Sequence, residues 1–99
     1  MELKNKSLFR QECYIGGKWQ KSLNGEIIQV DNPATLQSIG NVPKCGKKET
    51  ENAIQIANDA FLNWKNKTAK ERSIILKKWQ DLIEKNVDDL AHIMTVEQG

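Results

Sequence analysis

Few residues of this chain are of a type that could carry out chemistry, and their spacing limits them further. Cys13 and Cys45 are the two thiols, far apart in sequence and in no Cys-x-x-Cys arrangement. A structural zinc site needs four close ligands, and with His92 the Cys and His candidates number only three. A nucleophilic cysteine needs a base or another group that stabilises its thiolate. Cys13 opens an expected strand. Cys45 lies in the loop Pro43-Lys44-Cys45-Gly46-Lys47-Lys48, whose lysines would favour a thiolate. Even so, two reduced thiols without catalytic role are the expectation. His92, between Ala91 and Ile93 on an expected helix, reads as a satisfied or solvent-facing residue. Asp88 and Asp89 are adjacent, point to different sides of a helix and suit a helix start, where carboxylates meet the positive end of the dipole.

Gly16-Gly17-Lys18 has the letters of a phosphate cradle without its length or its Lys-Ser/Thr ending before a helix, and Gly-x-Gly-x-x-Gly is absent. The basic stretch Lys65, Lys67, Lys70, Arg72, Lys77, Lys78 is interrupted by acidic and apolar residues, the pattern of a solvated helix face. Trp64 and Trp79 fall on apolar stripes and are expected to pack rather than to stack on bases. The 15 Lys and Arg against 13 Asp and Glu give a net charge of +2, too even for a dedicated nucleic-acid binder. No apolar run is long enough to span a bilayer, and Met1 to Arg10 lacks the apolar stretch of a secretory signal. From the residues alone, no catalytic, coenzyme-binding or metal-binding residue is assigned, and neither nucleic acid nor membrane is an expected partner.

The elements that would position any site change character near Lys44 to Lys48. Before that point, Gly16-Gly17 marks a hairpin turn between Cys13-Tyr14-Ile15 and Lys18-Trp19-Gln20. Asn24-Gly25 precedes the β-branched stretch through Val30, Asp31 to Thr35 is turn chemistry, and Ser38 to Val42 runs into Pro43 as an edge strand. After it, Ile54, Ala57, Phe61 and Trp64 share one helix face, and Ile75, Trp79 and Leu82, widened by Leu76 and Ile83, share another. Thr68-Ala69-Lys70-Glu71 fits a capping box. Val87, Leu90, Ala91 and Met94 give a third apolar face, and Gly99 suits a helix C-cap. The expected architecture is an α+β segment: three short N-terminal strands in a hairpin or meander within about residues 12–43, then three amphipathic helices at about 49–64, 69–85 and 87–97.

The collinear set Tyr14-Ile15-x-Gly17-x-Trp19, Val30-x-Asn32-Pro33-Ala34-Thr35 and Ile39-Gly40-x-Val42-Pro43 resembles the opening of the aldehyde dehydrogenase superfamily. So does its continuation through Ala53-Ile54-x-x-Ala57-x-x-Ala60-Phe61-x-x-Trp64, Arg72-x-x-Ile75-Leu76, Asp89-Leu90-Ala91 and Glu97-Gln98-Gly99. Leu8-Phe9-Arg10-Gln11 and Thr68-Ala69-Lys70-Glu71-Arg72 look most like the succinate-semialdehyde dehydrogenases. The resemblance implies an N-terminal fragment, residues 1–99 forming part of a coenzyme-binding domain. The longer enzyme would oxidise succinate semialdehyde to succinate with NAD or NADP through a cysteine nucleophile and a glutamate-activated water. The motifs for those roles, and for the coenzyme loop and oxyanion asparagine, belong to parts of the family pattern beyond Gly99. Neither Cys13 nor Cys45 matches the nucleophile. The family's alkali-cation site near Val30-Asp31 would also lack its other ligands, and no ion is expected. The chain alone is therefore expected to be inactive and to bind no cofactor, and a cytoplasmic location is expected. Its partners would be the remainder of the enzyme, or further copies of itself through exposed apolar helix faces. The alternative is a small autonomous helical interaction module without catalysis.

Overall fold

The computed structural model describes every residue, Met1–Gly99. A 3-10 turn at Lys6–Leu8 leads into strands β1 (Cys13–Ile15), β2 (Lys18–Gln20), β3 (Ile27–Asp31) and β4 (Ser38–Pro43), followed by helices α1 (Lys47–Trp64), α2 (Ala69–Lys85) and α3 (Val87–Gln98). Strands followed by three helices is the expected order. The strands number four rather than three: the two stretches flanking the Gly16-Gly17 turn pair as separate strands, as that turn already implied, and so do β3 and β4. They form no meander: β1 pairs only with β2 and β3 only with β4, both antiparallel.

Each hairpin follows from its turn. Gly16 and Gly17 adopt φ values of 61° and 76°, the left-handed region that a tight two-residue turn demands and glycine enters without a Cβ penalty. The turn sets Tyr14 opposite Trp19, their ring centroids 5.1 Å apart, and the Arg10 guanidinium lies 4.8 Å over the Trp19 ring. Between β3 and β4 the Asn32 side chain accepts the Ala34 N–H at 2.9 Å, and the Leu36 N–H donates to the Asn32 carbonyl at 2.8 Å. Leu36 closes that turn at φ 59°, unusual for a branched apolar residue, and stands out into solvent.

The helices start where local chemistry satisfies their first N–H groups. Thr68 and Glu71 form the reciprocal box expected of them, Glu71 N–H to Thr68 Oγ1 at 3.1 Å and Thr68 N–H to Glu71 Oε2 at 3.2 Å. Before α1, the Glu49 carboxylate accepts the Gly46 N–H at 2.9 Å. Asn86 alone separates α2 from α3, and its side-chain amide donates to the Leu82 carbonyl at 2.8 Å. Gly99 ends α3 at φ 77° with its N–H on the Thr95 carbonyl at 2.9 Å.

Regular elements form, yet no core forms from them. Only Ser22, Pro43 and Asp89 are buried, and no large apolar side chain is. Along α2, every residue but Arg72 is exposed. Apart from each hairpin's own pairing, the elements pack on one another only slightly: α2 meets α3 near the Asn86 junction, and α1 makes still less contact with any other element. The accessible surface is 8089 Å², where a compact monomer of this size would present roughly 5,700 Å². The radius of gyration is 16.5 Å against about 13 Å for a compact chain of such length. Secondary structure is complete and tertiary structure is open.

Candidate functional site

The residues singled out for chemistry are dispersed over this open frame. Gly16-Gly17-Lys18 is a hairpin turn whose outer side faces α1: a Cβ on Gly16 would lie 3.4 Å from the Ile56 side chain. No helix begins there, so the turn offers no anion site of the dinucleotide type. His92 is exposed on α3. No three His, Cys, Asp or Glu side chains converge where a metal ion could be held. The lysine-rich stretch is a solvated face, with one structural exception: Arg72 Nη1 donates to the Lys67 carbonyl at 2.6 Å and so closes the turn between α1 and α2. No helix is long and apolar enough to cross a membrane.

Two groupings were not legible from spacing. The first is the thiol pair. Cys13 and Cys45 are free thiols, both half-buried, and their Sγ atoms are 3.8 Å apart. Burial pushes the Cys45 thiol above its ordinary range, helped by its hydrogen bond to Cys13 and by the negative charge that Cys13 and Glu49 can carry. No motif announced this, because the two residues approach only once the β1–β2 hairpin folds against the loop before α1.

The second is the buried Asp89 carboxylate. It lies in the first turn of α3, where the sequence places it. Beyond that role, its two oxygens accept the backbone N–H groups of Asn5, at 2.8 Å, and Lys4, at 3.0 Å, while Asp88 pairs with Lys4 Nζ at 3.2 Å. The N-terminal segment is thus pinned to α3. Those two N–H groups, Asn5 foremost and then Lys4, hold the Asp89 carboxyl below the usual carboxylate range, and the charges of Lys4 and His92 act in the same direction. A folded-state pKa lowered in this way stabilises the contact at every pH above the unfolded value of about 3.9. The contribution disappears as pH falls through the folded-state value. Amide hydrogen exchange at Lys4 and Asn5 should therefore be slow at neutral pH and lose protection in acid. Asp89→Ala should remove that protection at neutral pH as well. Persistent protection in the variant would mean that another acceptor holds the segment.

The largest feature is apolar. Trp79 is 65 % exposed, Ile54 64 %, Leu82 59 % and Phe61 56 %. The stripes on α1 and α2 exist where the periodicity put them, but Trp79 packs into no core of this chain, and Trp64 is only half-buried. Ala57, Ala60, Phe61 and Trp64 line a groove open to solvent on α1. A second groove runs between the Gly16-Gly17 turn and Ala53, Ile56 and Ala60 of α1. Such contiguous apolar surface is what a binding face presents.

Residues 19–99 match the model of the aldehyde dehydrogenase family. Over 99 residues the chain is 50% identical to a glutarate-semialdehyde dehydrogenase of Pseudomonas aeruginosa, covering 100% of this chain and 20% of that protein. It is 48% identical to an NADP(+) succinate-semialdehyde dehydrogenase of Escherichia coli, with the same coverage. The crystal structure of succinate-semialdehyde dehydrogenase from Burkholderia pseudomallei superposes with a TM-score of 0.95 at 48% identity, again over all of this chain and 20% of the other. The chain thus spans about a fifth of the length of these proteins and corresponds to their N-terminal part. With the family model matched over most of the sequence and the fold shared at that level of identity, the chain belongs to the aldehyde dehydrogenase family.

Proposed function

We propose that this chain is the N-terminal scaffold of an aldehyde dehydrogenase that oxidises a short dicarboxylic semialdehyde, succinate or glutarate semialdehyde, with NAD or NADP. The observation that carries this reading is a match over the whole chain to a fifth of semialdehyde dehydrogenases, by a segment that buries no large apolar side chain of its own. The glutarate- and succinate-semialdehyde relatives have equal claim on the exact substrate at about the same identity.

No residue of the chain forms a cradle for the coenzyme or carries a catalytic step. Its residues act by position. The apolar stripes of α1 and α2 dock on the remaining four-fifths of the polypeptide, and Asp89 ties the N-terminal segment to α3. The activity and a cytoplasmic location then belong to the longer protein. An autonomous interaction module would need a stable monomer, which the open packing disfavours.

The test is hydride transfer, followed by the absorbance of reduced nicotinamide, with succinate or glutarate semialdehyde and either coenzyme. The longer gene product containing these residues is expected to turn over, and the 99-residue chain is expected to be silent. Turnover by the purified 99-residue chain would sink the scaffold reading.

A further inference from the structure

Cys13 and Cys45 lie 32 positions apart in sequence and their sulfurs are in van der Waals contact at 3.8 Å. Cys13 is the first residue of β1, and Cys45 precedes Gly46, the residue at the threshold of α1. The pair bridges the β1–β2 hairpin and the loop entering α1, which otherwise meet where the Gly16-Gly17 turn approaches Ile56. A disulfide needs a sulfur separation of about 2.05 Å, and thiols already in contact require only a small approach. Lys44, Lys47 and Lys48 flank Cys45 and are exposed, which favours approach of an anionic reagent.

We propose that Cys13 and Cys45 are a reversible redox clasp, closed to a disulfide by an anionic low-molecular-weight disulfide such as glutathione disulfide. The clasp joins the β1–β2 hairpin covalently to the loop entering α1. It does not depend on the dehydrogenase reading.

The exchange proceeds in two steps. The Cys13 thiolate attacks one sulfur of the small disulfide; a Cys13–sulfur bond forms, the reagent's own S–S bond breaks, and one small thiol leaves with a proton. Cys45 then gives up its proton and attacks the Cys13 sulfur. The protein disulfide forms, the mixed disulfide breaks, and the second small thiol leaves with the second proton. The two cysteines lose two electrons and the reagent gains them. Cys45 takes the second role because its sulfur lies 3.8 Å from that of Cys13, within reach once Cys13 carries the mixed disulfide. Excess reduced thiol reverses both steps.

The test uses the full polypeptide that carries this segment, equilibrated with graded ratios of oxidised to reduced glutathione. Free thiols are then blocked with N-ethylmaleimide, and the digested protein is mapped by mass spectrometry. The expected result is a Cys13 peptide joined to a Cys45 peptide, lighter by two hydrogens and separated by dithiothreitol. Cys45→Ser should stop with glutathione on Cys13, and Cys13→Ser should leave Cys45 modified more slowly. Both cysteines blocked by maleimide at every ratio would overturn the clasp. So would separate glutathione adducts without a cross-link, or a link from either residue to a different cysteine. The wild-type map decides the matter even if a serine variant folds poorly, and it reads no dehydrogenase activity.

Discussion

Produced alone, the 99-residue chain should show helical circular dichroism but no sharp thermal transition, bind a dye for exposed apolar surface, and self-associate as concentration rises. The reason is energetic. Ile54, Phe61, Trp79 and Leu82 are each more than half exposed. Fully covering a large apolar side chain contributes ~1.5–3 kcal/mol, so four uncovered ones forgo up to about 6–12 kcal/mol, a range that overlaps the whole stability of an ordinary domain. Isolated amphipathic helices of this length are marginal in water, because most helical stability in proteins comes from packing the apolar face. The local devices that remain, such as the Thr68 cap, are each worth roughly 0.5–2 kcal/mol. Supplying the remaining polypeptide as a separate chain should restore a cooperative transition and abolish dye binding. A concentration-independent, sharply unfolding monomer that binds no dye would refute this and favour the autonomous module.

What could be read ahead of the structure was local. The capping box was visible because Thr68 and Glu71 are three residues apart, and the Asn32 turn because an asparagine bonds a neighbour two residues on. The helix faces were visible because a period of 3.6 residues repeats in the chain itself. Contacts made at long separation were not. Asp89 reaches Lys4 and Asn5 across 85 and 84 positions, and its two backbone partners carry no side-chain signature. The thiol pair was missed for the same reason, and the choice between hairpin and meander stayed open because turn residues do not say which strand a neighbour will choose. Periodicity also identifies an apolar face without saying what covers it. For Trp79 the packing inferred from its stripe is absent inside this chain, and under the proposed function the rest of the longer polypeptide would cover it.

That inference has a sharp consequence at Trp79 itself. Trp79 sits with Ile75, Leu76, Leu82 and Ile83 on the apolar side of α2, whereas Lys70, Lys77, Asp81 and Glu84 occupy the other side. In the 99-residue chain, Trp79→Ala removes a largely wet side chain from an exposed helix position. Helix content should not fall, since alanine is the better helix former. In the longer polypeptide the same change should open a cavity in a docked interface and cost about 3–5 kcal/mol. It should lower the thermal midpoint and the yield of active enzyme together. Lys77→Glu, on the opposite side of α2, should shift stability by no more than about 0.5 kcal/mol in either context. Measuring the three proteins by thermal unfolding and hydride transfer separates a docked face from one that stays exposed. Equal, small effects of Trp79→Ala and Lys77→Glu in the longer polypeptide would mean that α2 remains wet there, and the scaffold would then have to act through α1 and the hairpins alone. A large loss confined to Trp79→Ala, absent from the isolated chain, assigns the energy to a partner surface, because within this chain the side chain is mostly wet.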